Sequence, residues 1–395
     1  MNLRSMTQST MRLSEDQEQA LELVMDKLCQ PGGREAVLVG PAGTGKTTLM
    51  RQFLQDWPGD VKLLAPTGKA ARRLSEVTGY DVSTIHAALY KRVEEDEDAR
   101  GRARLVFHEP QPPVEEGGLI VVDEASMVGE SLYNDVMEQL DIVDGSVLWV
   151  GDKEQLEPVQ DTWGPDLDMP TAELTQVHRQ ALESPILELA TLIRRGRGSE
   201  FSSWNDDVQY VREDIHDAAR WASIDDDRVC LTWTNRVRQA INAKCRDIRG
   251  YGVDLVADDK IIVTRNNHQI GVVNGDVFTV ASVQAIAIRG QGMLRFAKVT
   301  TGSGIELLVA TNFIGEKHKD LMRRAHGIDK KLKAILVSID YGYCLTVHKS
   351  QGSQWQNVRF VECASLRNYR DKNFKRRIRY TAVTRAQEQL SVQDI

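Results

Sequence analysis

The feature that most constrains this chain is a glycine-rich segment, GPAGTGKT, at residues 40–47. It fits the pattern G-x-x-x-x-G-K-[ST], follows an apolar run and precedes a stretch typical of a helix. In this pattern glycines let the backbone wrap a polyphosphate, while successive N–H groups and the helix N-terminus supply partial positive charge. Because both flanks fit, the segment predicts a phosphate-binding loop rather than an accidental glycine turn.

Individual residues of this loop have distinct predicted roles. Lys46 reaches the β- and γ-phosphates, and the Thr47 hydroxyl is a ligand of Mg²⁺. The rest of the predicted nucleotide contacts come from the same segment and the next residue, namely Gly40, Gly43, Thr44, Gly45 and Thr48. ATP and Mg²⁺ are therefore the expected substrate and cofactor.

A second motif, LIVVDE at residues 119–124, supplies acidic partners for the phosphate loop. Asp123 is placed to hold the Mg²⁺ shell, and Glu124 to orient and deprotonate the attacking water. Alone the motif is weak evidence for a nucleotide site, since many strands end in a surface carboxylate. A phosphate loop about eighty residues upstream makes it strong evidence. Kinases and most GTPases lack the second carboxylate, which favours an ATPase that drives motion.

Gln17 follows Ser14 by three residues and has two interpretations. S-x-x-Q is a capping box, in which the glutamine only bonds the helix N-terminus. The segment also lies just upstream of the phosphate loop, which favours recognition of the adenine edge by Gln17.

Hydrophobic patterning predicts parallel sheets. Four nearly continuous apolar runs are typical of parallel strands covered on both faces by helices: Ala36–Val39, Lys62–Ala65, Leu119–Val122 and Val147–Val150. Each ends in a polar or glycine-rich turn, and in such sheets these turns lie at the carboxyl edge, where ligands bind. Residues 91–117 interrupt the pattern with an acidic run and several prolines and glycines, which indicates an insertion.

The βα pattern resumes in the second half and is interrupted by a β-rich module at about 251–335. The predicted elements there are Val229–Thr232, a helix from Asn235 to about Arg249, strands at Ile261–Thr264, Val277–Val280 and Ile305–Val309, a strand around Cys344–Val347, a helix near 375–386 and a terminal strand. Asn274-Gly275 is a signal for a two-residue hairpin.

Composition narrows the class of protein. At 395 residues the chain accommodates two domains, and no apolar run is long enough for a membrane span. The N-terminus has no apolar core, so we expect no secretory signal and a flexible tail at 1–12. Five scattered cysteines without a C-x-x-C pair argue against a zinc or iron–sulfur site and against a disulfide framework, and indicate a reducing, cytoplasmic setting.

The net charge and the charge distribution give opposite indications about nucleic-acid binding. The net charge of −7 speaks mildly against nucleic-acid binding, but the distribution matters more than the sum. Residues 367–379 hold seven basic side chains against one acidic. This run is either a solvated helix face or part of a nucleic-acid surface.

Further segments occur in a fixed order along the chain: LAPTGKAA at 64–71, STIH at 83–86, LWVGDKEQLEPV at 148–159, LTQVHRQ at 174–180, TVHKSQG at 346–352 and YTAVTRA at 380–386. With the phosphate loop, they resemble the motifs of superfamily 1B helicases of the RecD/Dda-like group, over nearly the whole chain. The resemblance implies an α/β fold with two RecA-like parallel-sheet motor domains in tandem, at 13–170 and 171–395. It also implies a small pin insertion at 91–117 and an SH3-like β insertion at 251–335.

The resemblance also implies roles for single residues. Gln155 would sense the γ-phosphate, Arg179 and Arg385 would approach it as arginine fingers, and Gly352 would contact the nucleotide. The residues implied to bind DNA are Pro66, Thr67, Lys69, Thr84, His86, Thr346, His348 and Lys349. Relatives usually have a glutamate where this chain has Gln354, which puts a carboxylate-specific contact with the ribose in doubt. Candidates for a strand-separating wedge are Phe107 and His108.

The function implied is an ATP-dependent 5′-to-3′ helicase that moves on single-stranded DNA, acts at duplex junctions and works as a monomer, with a single-strand-binding protein as a further partner. An alternative is an ATPase translocase that remodels protein–nucleic acid complexes, or serves as a subunit, without unwinding alone. An inactive binding module is disfavoured because the phosphate-handling residues are intact. RNA stays open as a substrate, because phosphate contacts do not read the sugar.

Overall fold

The structure is a computed structural model that describes residues 13–90, 93–97, 103–107, 110–158, 164–176, 184–224, 227–267, 269–289, 292–325 and 327–394. For 93–97 and 103–107 the backbone alone is described. The strands, in chain order, are β1 (Glu35–Val39), β2 (Val61–Ala65), β3 (Val82–Thr84), β4 (Val93–Glu97), β5 (Ala103–Phe107), β6 (Leu119–Val122), β7 (Ser146–Gly151), β8 (Ala172–Glu173), β9 (Val208–Arg212), β10 (Arg228–Thr232), β11 (Lys260–Val263), β12 (Val277–Ile286), β13 (Phe296–Thr301), β14 (Glu306–Ala310), β15 (Ile339–Tyr341), β16 (Cys344–Thr346), β17 (Trp355–Glu362) and β18 (Ala386–Asp394).

The described α-helices, in the same order, are α1 (Glu15–Cys29), α2 (Lys46–Asp56), α3 (Gly68–Thr78), α4 (Ile85–Leu89), α5 (Glu130–Ile142), α6 (Pro185–Arg194), α7 (Ile215–Ala222), α8 (Asn235–Ile248), α9 (His318–Arg324), α10 (Lys330–Ala334), α11 (Ala364–Arg367) and α12 (Lys372–Val383). None of them is long and apolar enough to cross a lipid bilayer.

The first sheet has six parallel strands in the order β3-β2-β6-β7-β1-β8. Every residue of β6 and β7 is buried, as the continuous apolar runs predict. Helices cover both faces, so the sheet has one core around Leu38 and Phe53 and another around Ile120 and Trp149. The four strands predicted here are confirmed.

The second sheet has five parallel strands in the order β16-β10-β17-β18-β9. Its largest core joins residues from β10, β16, β17 and α12, among them Leu231, Leu345, Phe360 and Ile378. Two parallel sheets whose strands alternate with helices confirm the predicted α/β fold class.

Strands β4 and β5, which lie between β3 and β6 in chain order, form a separate antiparallel pair. The pair lies within the stretch that the sequence indicates as an insertion.

The third sheet is antiparallel, in the order β14-β13-β12-β11-β15. Strand β13 is absent from the sequence prediction because its apolar residues alternate with exposed ones such as Lys298 instead of forming a run. The predicted two-residue hairpin at Asn274-Gly275 is wrong, since residues 264–276 connect β11 to β12. There Asn274 N donates to Asn266 Oδ1 at 2.7 Å and Gly275 N to Val263 O at 2.9 Å, which stabilises a longer loop.

Helix α3 packs on part of this connection, the junction loop (residues 269–276). Lys69 Nζ donates to Gly275 O at 3.2 Å, and Arg72 Nη1 donates to Asp276 Oδ1 at 3.0 Å. A Cβ at Gly68 would lie 2.6 Å from Val273 Cγ1, so the helix and the loop approach closely only because this residue is glycine. The first sheet and the antiparallel sheet therefore meet at the start of α3.

Candidate nucleotide site and nucleic-acid interface

The glycine-rich segment connects β1 to α2 and is locked by its own contacts. Gly43 and Gly45 have φ of +84° and +79°, in the left-handed region that glycine adopts without a Cβ penalty. Thr44 is buried and its Oγ1 donates to Pro41 O at 2.9 Å. A Cβ at Gly40 would lie 2.7 Å from that oxygen, so this position also requires glycine. The segment thus has the tight backbone that a polyphosphate cradle needs.

Lys46 and Thr47 open helix α2 and line a cavity of about 310 Å³. Lys46 Nζ donates to Gly40 O at 2.6 Å and to Pro41 O at 3.1 Å, which keeps the ammonium group over the loop. Thr48 lies one residue further into the helix, and its N–H donates to Gly45 O at 2.9 Å. Of the predicted loop residues, Gly43, Gly45, Lys46 and Thr47 therefore face the cavity, while Gly40, Thr44 and Thr48 hold the backbone around it.

The cavity lies between the two parallel sheets. From the first half it is lined by Asp123, Glu124, Asp152 and Gln155 in addition to the phosphate loop, and from the second half by Gly352, Gln354, Thr384 and Arg385. Gly352 has φ of +70°, and a Cβ there would lie 3.0 Å from Ala70 Cβ on α3. A ligand in this cavity would be contacted from both halves of the chain.

The acidic pair follows β6 directly. Desolvation by burial and the neighbouring Glu124 raise the pKa of Asp123 to about 6, against the opposing effect of Lys46 and Arg73. Glu124 has φ of +54°, in the left-handed region, which costs a residue with a side chain on the order of 1–2 kcal/mol. Strain of this kind at the end of a buried strand is typical of functional sites.

Gln155 and Arg385 bring polar groups from opposite walls. Gln155 is buried, and within the described part of the chain its Oε1 has no hydrogen-bond partner, so an acceptor is left free beside the cavity. Arg385 is also buried, and its guanidinium donates to Thr381 O at 3.1 Å and to Ser353 O at 3.3 Å. Burial lowers the pKa of Arg385, while Glu124 across the cavity raises it. An anion between the walls would find this charge already in place.

A buried hydrogen-bond bridge crosses the same cleft. Tyr380 Oη on α12 donates to Asp152 Oδ2 at 2.6 Å and accepts from Ala42 N of the phosphate loop at 3.1 Å. Burial, and then the Asp152 carboxylate, raise the pKa of Tyr380 well above its usual range, so the hydroxyl keeps its proton. One hydroxyl thereby ties the second sheet to two elements of the first.

Gln17 uses its amide inside the chain. Its Oε1 accepts from Ser14 N at 3.0 Å, which completes the capping box, and its Nε2 donates to Thr44 O at 3.2 Å. The capping role is therefore present, and the amide also braces the phosphate loop. Contact with adenine would require Gln17 to exchange one of these bonds, and it stays a prediction.

Four predicted DNA contacts of the first half lie at one edge of the first sheet. Thr67 and Thr84 are N-caps whose hydroxyls accept from Ala70 N at 3.2 Å and from Ala87 N at 3.1 Å. They follow β2 and β3, where Ala65 and Thr84 are paired, with Pro66 leading into α3. His86 is beside Tyr90, and burial lowers the pKa of its imidazole, which favours the neutral ring.

Lys69 differs from an open phosphate contact. Its Nζ lies 4.6 Å from the centre of the Trp355 ring and donates to the junction loop. Burial lowers the pKa of Lys69 to about 8, although Asp276 opposes the shift. To contact DNA, this side chain would have to leave the junction loop.

The predicted DNA contacts of the second half lie at the carboxyl edge of the second sheet. Thr232 and Thr346 are paired at the ends of β10 and β16, and Thr346 Oγ1 accepts from Lys349 N at 3.4 Å. His348 lines a second cavity of about 460 Å³, and burial lowers the pKa of its imidazole. Arg179 and His108 lie outside the described residues, as does the side chain of Phe107.

The structure gives roles at this cleft to three residues for which the sequence predicts none. Asp152 and Tyr380 stand inside motifs quoted above, but their role as a bridge depends on contact between segments 228 residues apart. Arg73 lies one helical turn after Ala70 on α3, and its Nη2 donates to Gln354 Oε1 at 2.8 Å. The spacing of Arg73 on an amphipathic helix is the only signal that the sequence offers for it.

Comparison with protein families gives two matches. The AAA-domain family matches residues 12–214, and the UvrD-like helicase C-terminal domain family matches residues 341–392. The first match contains the phosphate loop and the acidic pair, and the second contains Gly352 and Arg385.

Curated relatives include nucleic-acid enzymes from bacteria and phage. The ATP-dependent RecD2 DNA helicase of Deinococcus radiodurans is 29% identical, over 95% of this chain and 48% of that protein. The conjugal transfer protein TraA of Agrobacterium fabrum is 24% identical, over 96% and 32%. The ATP-dependent DNA helicase dda of Enterobacteria phage T4 is 28% identical, over 49% and 44%. The chain spans about half or less of the length of these relatives.

Solved structures show the same fold at low identity. Bacteroides Pif1 bound to single-stranded DNA superposes with a TM-score of 0.56 at 16% identity, over 97% of this chain and 92% of that one. Pif1 helicase from Candida albicans gives a TM-score of 0.54 at 16% identity, over 97% and 94%.

Proposed function

Because this chain belongs to the AAA-domain family and to the RecD/Dda-like group of superfamily 1B helicases, we propose that it is an ATP-dependent helicase that moves along single-stranded DNA. The observation that carries the proposal is the cavity whose walls come from both parallel sheets. A substrate that contacts both walls draws the two sheets together when it binds, and its hydrolysis lets them separate. The relatives named ATP-dependent DNA helicases support both the nucleotide and the nucleic acid.

The residues of the cavity divide the work of ATP hydrolysis. Lys46 and the loop N–H groups hold the phosphates, and Glu124 orients and deprotonates the attacking water. Gln155, whose Oε1 has no hydrogen-bond partner among the described residues, senses the γ-phosphate. Arg385 stabilises the charge that develops on the transferred phosphoryl group, and we assign the same role to Arg179. Gln17 contacts the adenine edge after giving up one of its internal bonds.

The Thr47 hydroxyl and the Asp123 carboxylate line the same cavity, and this oxygen donor set fits Mg²⁺. Thr47 and Asp123 would hold the ion, which would neutralise negative charge on the phosphates. The raised pKa of Asp123 also fits a Mg²⁺ site. Burial and the neighbouring Glu124 disfavour the charged form of this carboxyl group, and a divalent cation would stabilise that form.

Each half has its own grip on the strand in this proposal. Thr67, Thr84 and His86 hold phosphates at the edge of the first sheet, and Thr346, His348 and Lys349 do so at the edge of the second. We divide the chain accordingly into motor domains at 13–170 and 171–395, with the β4–β5 pair as the pin of the insertion at 91–117. Closing of the cleft on ATP and reopening after hydrolysis would alternate these grips and move the chain along the strand.

We further propose 5′-to-3′ movement, action as a monomer in the cytoplasm, and cooperation with a single-strand-binding protein at duplex junctions. The test is ATPase activity with and without single-stranded DNA, followed by unwinding of duplexes that carry either a 5′ or a 3′ tail. We expect stimulation by the single strand and unwinding from the 5′ tail, both lost in Lys46→Ala. Unwinding from the 3′ tail alone would refute the polarity and leave the ATPase intact. Stimulation of the ATPase without unwinding of either duplex would favour a translocase that remodels protein–nucleic acid complexes. The same two assays with RNA in place of DNA show whether the protein distinguishes ribose from deoxyribose.

A further inference from the structure

An aromatic cluster stands at the carboxyl edge of the second sheet, apart from the nucleotide cavity. Trp233, Tyr369 and Phe374, which we call the aromatic platform, are in mutual ring contact. Their ring centres are 5.1 Å apart for Trp233 and Tyr369, 5.1 Å for Tyr369 and Phe374, and 5.7 Å for Trp233 and Phe374. Trp233 and Phe374 also pack on the core, but Tyr369 is 42% exposed. Core packing therefore does not account for the third ring.

The start of helix α12, which carries Phe374, is held by an N-cap. Asp371 caps α12, and its carboxylate accepts from Asn373 N at 2.8 Å and from Phe374 N at 3.0 Å. The cap orders the backbone at Phe374, and packing of Trp233 and Phe374 on the core positions two of the three rings. Preorganised aromatic surfaces bind at low entropic cost.

Most of the arginines near the platform are neutralised by ion pairs, but two exposed cations are not. In the basic run 367–379, four arginines form ion pairs: Arg367 with Asp394, Arg376 with Glu154, Arg377 with Glu157 and Arg379 with Glu362. Arg370 and Lys372 are exposed, and among the described residues neither has an ion pair. These two cations lie between Tyr369 and Phe374 in the sequence, on either side of Asp371. Aromatic rings interleaved with unpaired cations form a surface typical of single-strand binding.

The platform is continuous with the predicted phosphate grip of the second half. Trp233 follows β10, which pairs with β16 ahead of Thr346 and His348. The His348 ring lies 6.4 Å from that of Phe374, and both line the cavity of about 460 Å³. A strand whose phosphates lie at Thr346 and Lys349 would bring its bases within reach of these rings.

We propose that the aromatic platform stacks on bases of the bound single strand, so that the second half grips bases as well as phosphates. The inference rests on the proposed function, because it needs a single strand at this edge. Stacking is tolerant of sequence, since every base has a π-face, and it adds an attraction that salt does not screen. The occupant is therefore single-stranded DNA with its bases intact.

The experiment compares two oligonucleotides with the same phosphates. Fluorescence anisotropy measures the affinity for labelled oligo-dT and for an oligonucleotide of equal length with abasic residues at its centre. We expect the unchanged protein to bind oligo-dT more tightly. Tyr369→Leu should weaken oligo-dT binding by roughly 5- to 100-fold, the range for loss of one stacked base, and leave abasic binding unchanged. Tyr369→Phe keeps the ring and should keep the preference.

A matched control comes from a second three-ring cluster. Tyr210 is also 42% exposed and lies with Phe201 and Trp204 at the far edge of the second sheet, on β9. Tyr210→Leu should leave both affinities unchanged. Equal affinity of the unchanged protein for the two oligonucleotides, or an equal loss on both in Tyr369→Leu, would refute the platform alone. Failure to bind either oligonucleotide would refute the proposed function together with the platform.

Discussion

The residues around the cavity are of two kinds, those that can touch a nucleotide and those that hold the first kind in place. Lys46, Glu124 and Arg385 belong to the first kind. Thr44 and Tyr380 belong to the second, because their hydroxyls bond groups of the phosphate loop instead of facing the cavity freely. The two kinds should respond differently to substitution, since one changes chemistry and the other changes geometry.

Glu124→Gln separates binding from chemistry. The amide fits the space of the carboxylate but accepts no proton, so turnover should fall by about 10²–10⁴-fold while ATP and Mg²⁺ still bind. Steady-state hydrolysis and equilibrium titration with a fluorescent ATP analogue measure the two effects. Lys46→Ala should instead weaken the titration itself. Near-normal turnover in Glu124→Gln would remove this residue from its assigned role.

Tyr380→Phe tests the buried bridge. Loss of the hydroxyl leaves the Ala42 N–H and Asp152 Oδ2 without this partner, so the free energy of unfolding should fall by about 1–3 kcal/mol. Turnover of the folded protein should also fall, because the phosphate loop loses its link to the second sheet. Urea unfolding and single-turnover hydrolysis report these two quantities.

Tyr343→Phe is the matched control for this substitution. Tyr343 is buried, donates to Asp259 Oδ1 at 3.0 Å and accepts from Lys260 N at 3.2 Å, but it does not line the nucleotide cavity. It should therefore lose comparable stability and keep its turnover. A similar loss of turnover in both variants would mean that the Tyr380 bridge matters only for folding.

At the scale of elements, the contact between α3 and the junction loop can be tested by whether Gly68→Ala stabilises or destabilises the protein. On a free helix, Gly68→Ala would stabilise by up to about 1 kcal/mol through helix propensity. Here the new Cβ would lie 2.7 Å from Val273 Cβ, so we expect a net loss of roughly 1–3 kcal/mol from overpacking. The double variant Gly68→Ala/Val273→Gly removes the opposing Cβ as well as both γ-methyl groups and should recover most of the overpacking loss in urea unfolding. Stabilisation by Gly68→Ala alone would show that the loop does not pack on α3 in solution.

Elements with strong local signals could be predicted from the sequence, and those that depend on distant contacts could not. The runs that form β1, β2, β6 and β7 are nearly all apolar because helices cover both faces, so each could be recognised by itself. Strand β13 alternates, and Asn274-Gly275 lies in a longer loop whose shape depends on Asn266 and Val263. The phosphate loop and the acidic pair were readable for the same local reason. The bridge through Tyr380 was not, because it joins three segments that are far apart in the sequence.

At the scale of the molecule, α12 joins the two halves. Arg376 and Arg377 form ion pairs with Glu154 and Glu157, in the segment that also contains Gln155. Part of the basic run thus serves contact between the sheets. Within the described part of the chain, Arg370 and Lys372 are the exposed members of the run that form no ion pair. A chain with a net charge of −7 can bind nucleic acid in this way, since the cations near the strand are local.

Salt dependence measures how many phosphates the whole molecule grips. For single strands the logarithm of affinity falls with the logarithm of salt concentration by about 0.7 per neutralised phosphate. A handful of contacts shared between the two sheet edges implies a slope of roughly −2 to −5. Anisotropy titrations from low to physiological salt give the slope. A flat response would contradict a phosphate-tracking groove and would leave base stacking as the main grip.

The cavity shared by the two sheets has a consequence for how this chain melts. The sheets have separate cores, so each can unfold as its own cooperative unit unless something couples them. A nucleotide that binds only when both walls are present adds about 2.7 kcal/mol of stability at a hundred times its dissociation constant, and it adds it to both units at once. Each hydrolysis withdraws part of that stabilisation. The nucleotide thus adds to the coupling between the two sheets that the Tyr380 bridge and the α12 ion pairs already provide.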